Sequence, residues 1–409
     1  MTASGAATLP LAATRRAARA VPALRWPLCA MVFTLPLEFP ERFPVEVTTM
    51  AGSAFLLCTL LYPRTCYGRV PQAVAWFGLY LYVMLVALVF SGSQYPGGLY
   101  LWDVTQFMLL LLLWILVFWV CSNLFEDERL SRAALWALVA GCLVRSAMPI
   151  VGIGTTAREQ GLGGARVTVL GQGPNQSAQV LAVGLLALIG MSYVQLGRPG
   201  RGRWIAWAGV GLITTGLVAT GSRGGLLTFA AGLLVTLVAG RSLRVRIRNA
   251  AVVLLAAAVL AVAFSRSDLL QRRFSAAVDE GDLSGRETIY PFTVDMCLEK
   301  PLLGWGPITN KYELGSRLND PTRSRRDAHN AVLEILTASG LAGLIPFTVG
   351  AWLCFRSAWR SRAGPRGALP LTLVVAVVMV NMSGNRLTAP VTWLMLAYGL
   401  TSRAGRAEC

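Results

Sequence analysis

The chain has 409 residues, 55% of them hydrophobic and only 14% charged, with a formal net charge of +17. Soluble domains carry about 25% charged residues, so this chain lacks the groups that keep a surface wet. A soluble globular protein, a disordered chain and a secreted disulfide scaffold are excluded, which leaves a polytopic membrane protein.

The first residues, up to Trp26, are Arg-bearing and Ala-rich and run into the first apolar segment without a small-residue cleavage site. That predicts an uncleaved cytoplasmic tail rather than a signal peptide. Apolar runs near the ~20 residues needed to cross a bilayer then recur along the chain. They fall at about 22–38, 47–62, 72–91, 101–121, 133–152, 175–196, 204–220, 225–240, 250–265, 331–355, 368–384 and 390–401. The expectation is an all-α bundle of about twelve transmembrane helices with both termini in the cytoplasm. Alternating the connections puts 21 cations on the inner side, from Arg15 to Arg406, against four acids, Glu126, Asp127, Glu128 and Glu408. The remaining 16 cations and 16 acids cancel, so the whole excess lies where the positive-inside rule wants it. The basic balance therefore reports topology, not a nucleic-acid partner. Eight cysteines, with no CxxC pair and only Cys297 clearly in an outer loop, give no disulfide framework.

Two outer connections are long. One runs from about Gly154 to Gln172, the other from about Ser265 to His329. The chain thus divides into 1–264, with nine spans and a short outer loop near 154–172; 265–329, a large outer loop; and 330–409, with three spans and a tail. A long loop in a compact protein is functional or disordered. Here Ile289, Phe292 and Met296 recur at helical spacing over Arg286–Glu299 and stop before Pro301, predicting a helix. PLLGWGP then reads as a tight turn with an exposed Trp305. The loop carries ten cations and ten acids.

Three features on the outer side carry chemistry. His329 is the only histidine and sits just before span ten. Histidine alone has an ordinary pKa near neutrality and is the commonest general base, although a capping role falls better to Asn330 or Asp327. Arg158, Arg166, Arg223 and Arg286 oppose the topological bias, and guanidinium binds phosphate through a planar fork; the alternative is snorkelling to lipid. Arg223 lies in a connection too short to leave the membrane surface, beside Ser222, Gly224 and Gly225, small residues that would let a polyanion approach closely. Asn175, Gln176 and Ser177 open span six, where they either face a cavity or cap the helix. Asp279, Glu280 and Asp282 form an acidic cluster that reads as solvated loop. A lone histidine makes no zinc site, so neither metal nor cofactor is expected.

One base and several permanent cations at an outer membrane surface suit a single reaction class. A sugar linked through pyrophosphate has a good leaving group whose charge fixed arginines can stabilise without a metal. The acceptor hydroxyl needs a base, which His329 supplies, and direct attack inverts the anomeric centre. GSRGG at 221–225, GR at 285–286, EKPLLGWGP at 299–307 and HNAVLEILTASGLAGL at 329–344 resemble the O-antigen ligase/polymerase superfamily. That resemblance implies a GT-C-like fold and a metal-independent, inverting transfer of undecaprenyl-pyrophosphate-linked glycan in the periplasm, from the bacterial inner membrane. His329 matches the catalytic histidine, and Arg166, Arg223 and Arg286 match the phosphate-binding arginines. Arg158 competes with Arg166, and Asn175 and Asn330 are further candidates for substrate contact.

Within the superfamily, the single late loop and the absence of a large soluble extension favour the ligase, which joins O-antigen to a lipid A–core sugar, over the O-antigen polymerase and the protein O-oligosaccharyltransferase. A twelve-span transporter should show repeated halves and polar or broken helices near the bilayer midplane. The halves here differ, and only Arg145 and Glu334 are ionisable residues placed away from a span end.

Overall fold

The computed structural model describes residues 11–38, 46–91, 98–160, 164–170, 172–196, 201–238, 243–279, 285–319, 324–384 and 387–402. In chain order these form α1 (Leu11–Thr34), α2 (Val47–Thr59), a short α3 (Pro63–Cys66), α4 (Gln72–Ser91), α5 (Gly98–Leu124) and α6 (Glu128–Ala147). A hairpin of β1 (Thr155–Gln160) and β2 (Gly164–Val169) follows, then α7 (Pro174–Leu196), α8 (Arg201–Ala219), α9 (Arg223–Val238) and α10 (Leu243–Ser265). The long connection contains α11 (Asp268–Asp279), α12 (Arg286–Glu299) and α13 (Thr309–Arg317). The chain closes with α14 (Ala331–Ser361), α15 (Leu369–Ser383) and α16 (Pro390–Thr401).

Each of the twelve apolar runs forms a helix. Five, at Gln72–Ser91, Tyr100–Leu124, Glu128–Ala147, Pro174–Ser192 and Ala331–Ser361, are long and apolar enough to cross a membrane by themselves. The protein is accordingly a helical, multi-pass membrane protein. The first helix starts earlier than its apolar run, at Leu11, because alanine and arginine are good helix formers. The expectation of an all-α chain is corrected at one place: the connection near 154–172 forms an antiparallel hairpin, with Thr155 paired to Val169 and Gln160 to Gly164. Its Thr- and Val-bearing strands suit extended backbone.

Packing follows apolarity. Helices apolar all round belong inside a bundle, and α15 and α16 are buried along most of their length. Around them α14 packs on α4, α7 on α8 and α9, and α1 on α6. Phe77, Phe118 and Trp393 meet edge to face at the centre, with Phe347 against Phe77.

Side-chain bonds sort the helix ends onto two rims. On one, Arg69 pairs with Glu126 at 2.8 Å, Arg366 donates to the Phe125 carbonyl at 2.6 Å, and Ser361 meets Ser402. On the other lie the long connection, the hairpin, the starts of α5, α7, α9 and α14 and the end of α15.

Candidate active site at the His329 rim

The start of α14 builds its own support. Asn330 is the cap: its side chain accepts from the Val332 amide at 2.9 Å. His329 is thereby released from capping and lies outside the helix with φ +52°. Histidine visits this left-handed region more than most residues, yet such a conformation costs about 1–3 kcal/mol unless its surroundings fix it. Here they do. Arg326 donates its amide to the Lys311 carbonyl at 3.0 Å, Lys311 pairs with Asp327, and the Ala328 amide reaches Glu334 at 3.4 Å. Glu334, 3% exposed, also accepts from Asn310 at 3.1 Å and lies 3.8 Å from the Lys311 ammonium. Burial would drive the Lys311 pKa down, but Glu334 and Asp327 outweigh it and hold the ammonium above its ordinary value.

The His329 side chain reaches solvent, but the protein around it removes enough water to lower its pKa below the ordinary histidine value. Asp327 opposes this, and Arg286, Arg326 and Lys311 reinforce it. At neutral pH the ring is therefore a neutral imidazole with a lone pair available.

Arg223 and Arg286 are each the first residue of a helix, α9 and α12. The α9 start is capped by Ser222, whose hydroxyl accepts from the Gly225 amide at 3.3 Å. The α12 start has Gly285 at φ +81° and no side-chain cap. A cation at the positive end of a helix is unfavourable by itself, whereas helix starts and guanidiniums both attract anions. The two starts converge on Ser383, at the end of α15. Arg286 donates through Nη2 to the Ser383 carbonyl at 2.6 Å, and a Cβ on Gly224 would stand 3.0 Å from the Ser383 hydroxyl. Gln179 of α7 also donates to that hydroxyl, at 3.1 Å. Arg286 Nε is buried and, among the described residues, has no hydrogen-bond partner. A buried donor left unpaired costs about 1–3 kcal/mol.

The two glycines beside Arg223 do not open a path for a polyanion. Gly224 meets Ser383, and Gly225 packs against Ala178 and Leu217, so both serve close helix contact. The hairpin places Arg158 directly opposite Arg166 in register. Asn175 is exposed at the first turn of α7 and has bonding partners. The neighbouring polar residues are structural. Arg145, 1% exposed, donates to the Pro36 carbonyl at 2.8 Å, to the Val169 carbonyl at 3.2 Å and to Ser177. Thus a buried arginine ties α1, the hairpin and α7 together. Asp279 ends α11, whereas Glu280 and Asp282 lie outside the described residues. Among the described residues no three His, Cys, Asp or Glu side chains form a metal-binding group.

The PLLGWGP turn is stitched into α14. That helix breaks at Gly340, with φ +61° and ψ −161°. The freed groups bond the turn: Leu341 donates to Pro301 at 2.8 Å and Ala342 to Leu302 at 3.1 Å, while Trp305 donates to Thr337 at 2.7 Å and Gly306 to Ala338 at 3.0 Å. A side chain on Gly340 would overlap the Leu302 carbonyl. Trp305, expected to be exposed, is buried instead. Its ring lies between the Lys300 ammonium, 3.7 Å from the ring centre, and Arg317, and its indole N–H donates to Met296 at 3.0 Å. Sequence reasoning missed this packing, and with it Lys311, Arg326 and Ser383, none of which stands out in a linear reading.

The O-antigen ligase family profile matches residues 208–348, about a third of the chain. The matched stretch runs from within α8 through the break in α14 and contains Arg223, Arg286 and His329, so the resemblance read from the motifs holds over that region. No curated protein matches the chain.

Proposed function

We propose that the protein is an inverting, metal-independent glycosyltransferase that moves O-antigen polysaccharide from undecaprenyl pyrophosphate to a lipid A–core sugar hydroxyl at the periplasmic face of the inner membrane. In this reading all twelve apolar helices span the membrane and both termini are cytoplasmic. His329, held neutral, takes the proton of the acceptor hydroxyl. The oxygen attacks the anomeric carbon, the bond to pyrophosphate breaks, and the leaving diphosphate keeps the electron pair. Arg286 and Arg223 stabilise its charge, with Arg166 or Arg158 of the hairpin beyond them; Asn175 and Asn330 are candidate contacts to the glycan.

The observation that carries this reading is the unpaired, buried Nε of Arg286, on a guanidinium close enough to His329 to depress its pKa. A base and an anion site in one electrostatic neighbourhood are what glycosyl transfer from a diphosphate requires.

The test is a ligase-null strain complemented with this chain and examined by lipopolysaccharide gels. A ligase restores polymer on the core. A core capped with a single repeat in the null strain would mark the O-antigen polymerase instead, and glycan on protein would mark the protein O-oligosaccharyltransferase. His329→Ala should lower transfer about 10²–10⁴-fold while still inserting and binding donor. Movement of donor across proteoliposomes without transfer would replace the whole reading with a transporter.

A further inference from the structure

The rim opposite His329 carries a second polar site. A groove of about 300 Å³ opens between the first turn of α4, at Gln72, the last turns of α14, at Leu353, Arg356, Ser357 and Arg360, and Leu400 of α16. Arg356 and Arg360 are four residues apart, so both guanidiniums stand on one face of α14. Both are exposed.

The acids of this rim are committed elsewhere. Glu126 holds Arg69, Glu128 holds Arg132, and the Asp127 side chain caps α6. Arg356 and Arg360 therefore have no carboxylate partner among the described residues. Topology alone explains why arginines sit at this end; it does not explain a groove that gathers two of them beside the Gln72 amide.

Depth and flanks identify the occupant. The unbroken α4 packs along α14 and runs from Gln72, in the groove, to Ser91, which a Cβ on Gly306 of the turn would meet. Its 20 residues rise roughly 30 Å at ~1.5 Å per residue, the thickness of a hydrocarbon core. The groove thus lies at head-group depth in the leaflet opposite His329. Along the adjoining face of α14, Trp352, Phe355 and Trp359 stack in a ladder, with ring centres 5.4 and 6.2 Å apart. Trp352 and Trp359 are 56% and 45% exposed, and aromatic rings belong at the membrane interface. Trp359 stands at the depth of the two guanidiniums, with Arg362 4.3 Å from its ring centre, so an anion in the groove would have acyl chains running inward past Phe355 and Trp352.

We infer that the groove binds an anionic phospholipid, its phosphodiester held by Arg356 and Arg360 and its chains lying against Phe355 and Trp352. This site is separate from the proposed transfer reaction, and either can fail without the other.

The test uses the full chain in nanodiscs of equal phosphatidylglycerol and phosphatidylcholine, with retained lipids counted by native mass spectrometry. Wild type should keep phosphatidylglycerol in preference to phosphatidylcholine. Arg360→Gln should cut the preference roughly fivefold, and the Arg356→Gln/Arg360→Gln pair roughly 25-fold. Arg129→Gln/Arg132→Gln removes the same charge from the same rim and should leave the preference intact. Equal losses in the two double variants would reduce the effect to bulk charge and overturn the site. So would equal retention of both lipids by wild type, or complete displacement of phosphatidylglycerol by excess inorganic phosphate, which would leave an anion site with no hold on the chains. If the double variant fails to fold, Arg360→Gln alone decides.

Discussion

At the scale of single residues, the proposed chemistry turns on which charges surround one imidazole. Asp327 raises the His329 pKa, whereas loss of water and the cations Arg286, Arg326 and Lys311 lower it, and the lowering wins. The proposed base is then active at any pH above that depressed value, and activity falls as acid protonates it. Arg286→Gln removes a cation that disfavours the imidazolium, so the acid limb of kcat/KM should move to higher pH. Asp327→Asn removes the opposing carboxylate and should move the limb lower. A limb that stays put in both variants would detach His329 from the reaction. Arg286→Lys should rescue Arg286→Gln poorly in donor binding, because an ammonium lacks the planar fork that fills Nη2 and Nε together; full rescue would mean that charge alone matters.

At the scale of elements, two joints hold the site. The first is the break at Gly340, where α14 opens to receive the 301–306 turn. Gly340→Ala adds a Cβ against the Leu302 carbonyl and forces a left-handed residue, for about 1–3 kcal/mol. It should lower the thermal midpoint in detergent and expose 265–329 to protease, with transfer lost because His329 is no longer placed. An unchanged cleavage pattern would show that the turn docks without the break. The second joint is Arg145. Arg145→Met leaves the buried Pro36 carbonyl without its donor, at about 1–3 kcal/mol, and strips one bond each from Val169 and Ser177, which keep Gln172 and Gly173 as partners. Unfolding should come several degrees earlier. Stability equal to wild type would mean that water replaces the guanidinium.

At the scale of the whole molecule, the two rims make opposite forecasts for access. In a chain freed of its own cysteines, Ser324→Cys should react with a membrane-impermeant maleimide in intact cells, because Ser324 is exposed beside the His329 rim. Ala363→Cys, exposed on the far rim, should react only after the membrane is opened. The reverse pattern would turn the protein over and sink the periplasmic reading. Activity should also survive chelation; loss restored by a divalent ion would bring the 279–282 acids into the mechanism.

The positions of the twelve apolar helices, and the helix from Arg286 to Glu299, were legible from residue order alone. Hydrophobic length and period are local properties, and the bilayer and the core act on them directly. The O-antigen ligase resemblance was legible for a related reason: its glycines and its His–Asn pair answer local backbone demands, as the φ values of Gly304, Gly306, Gly340 and His329 attest. Only the tertiary structure decided that Trp305 is clamped between two cations, that the glycines beside Arg223 are packing residues, and that Arg145 is a joint. It alone brought the starts of α9 and α12 to Ser383 and left Arg286 Nε without a partner among the described residues. Most of these facts depend on residues tens to hundreds of positions apart, and a guanidinium's partner is set by which helix ends meet, which no window along the chain contains.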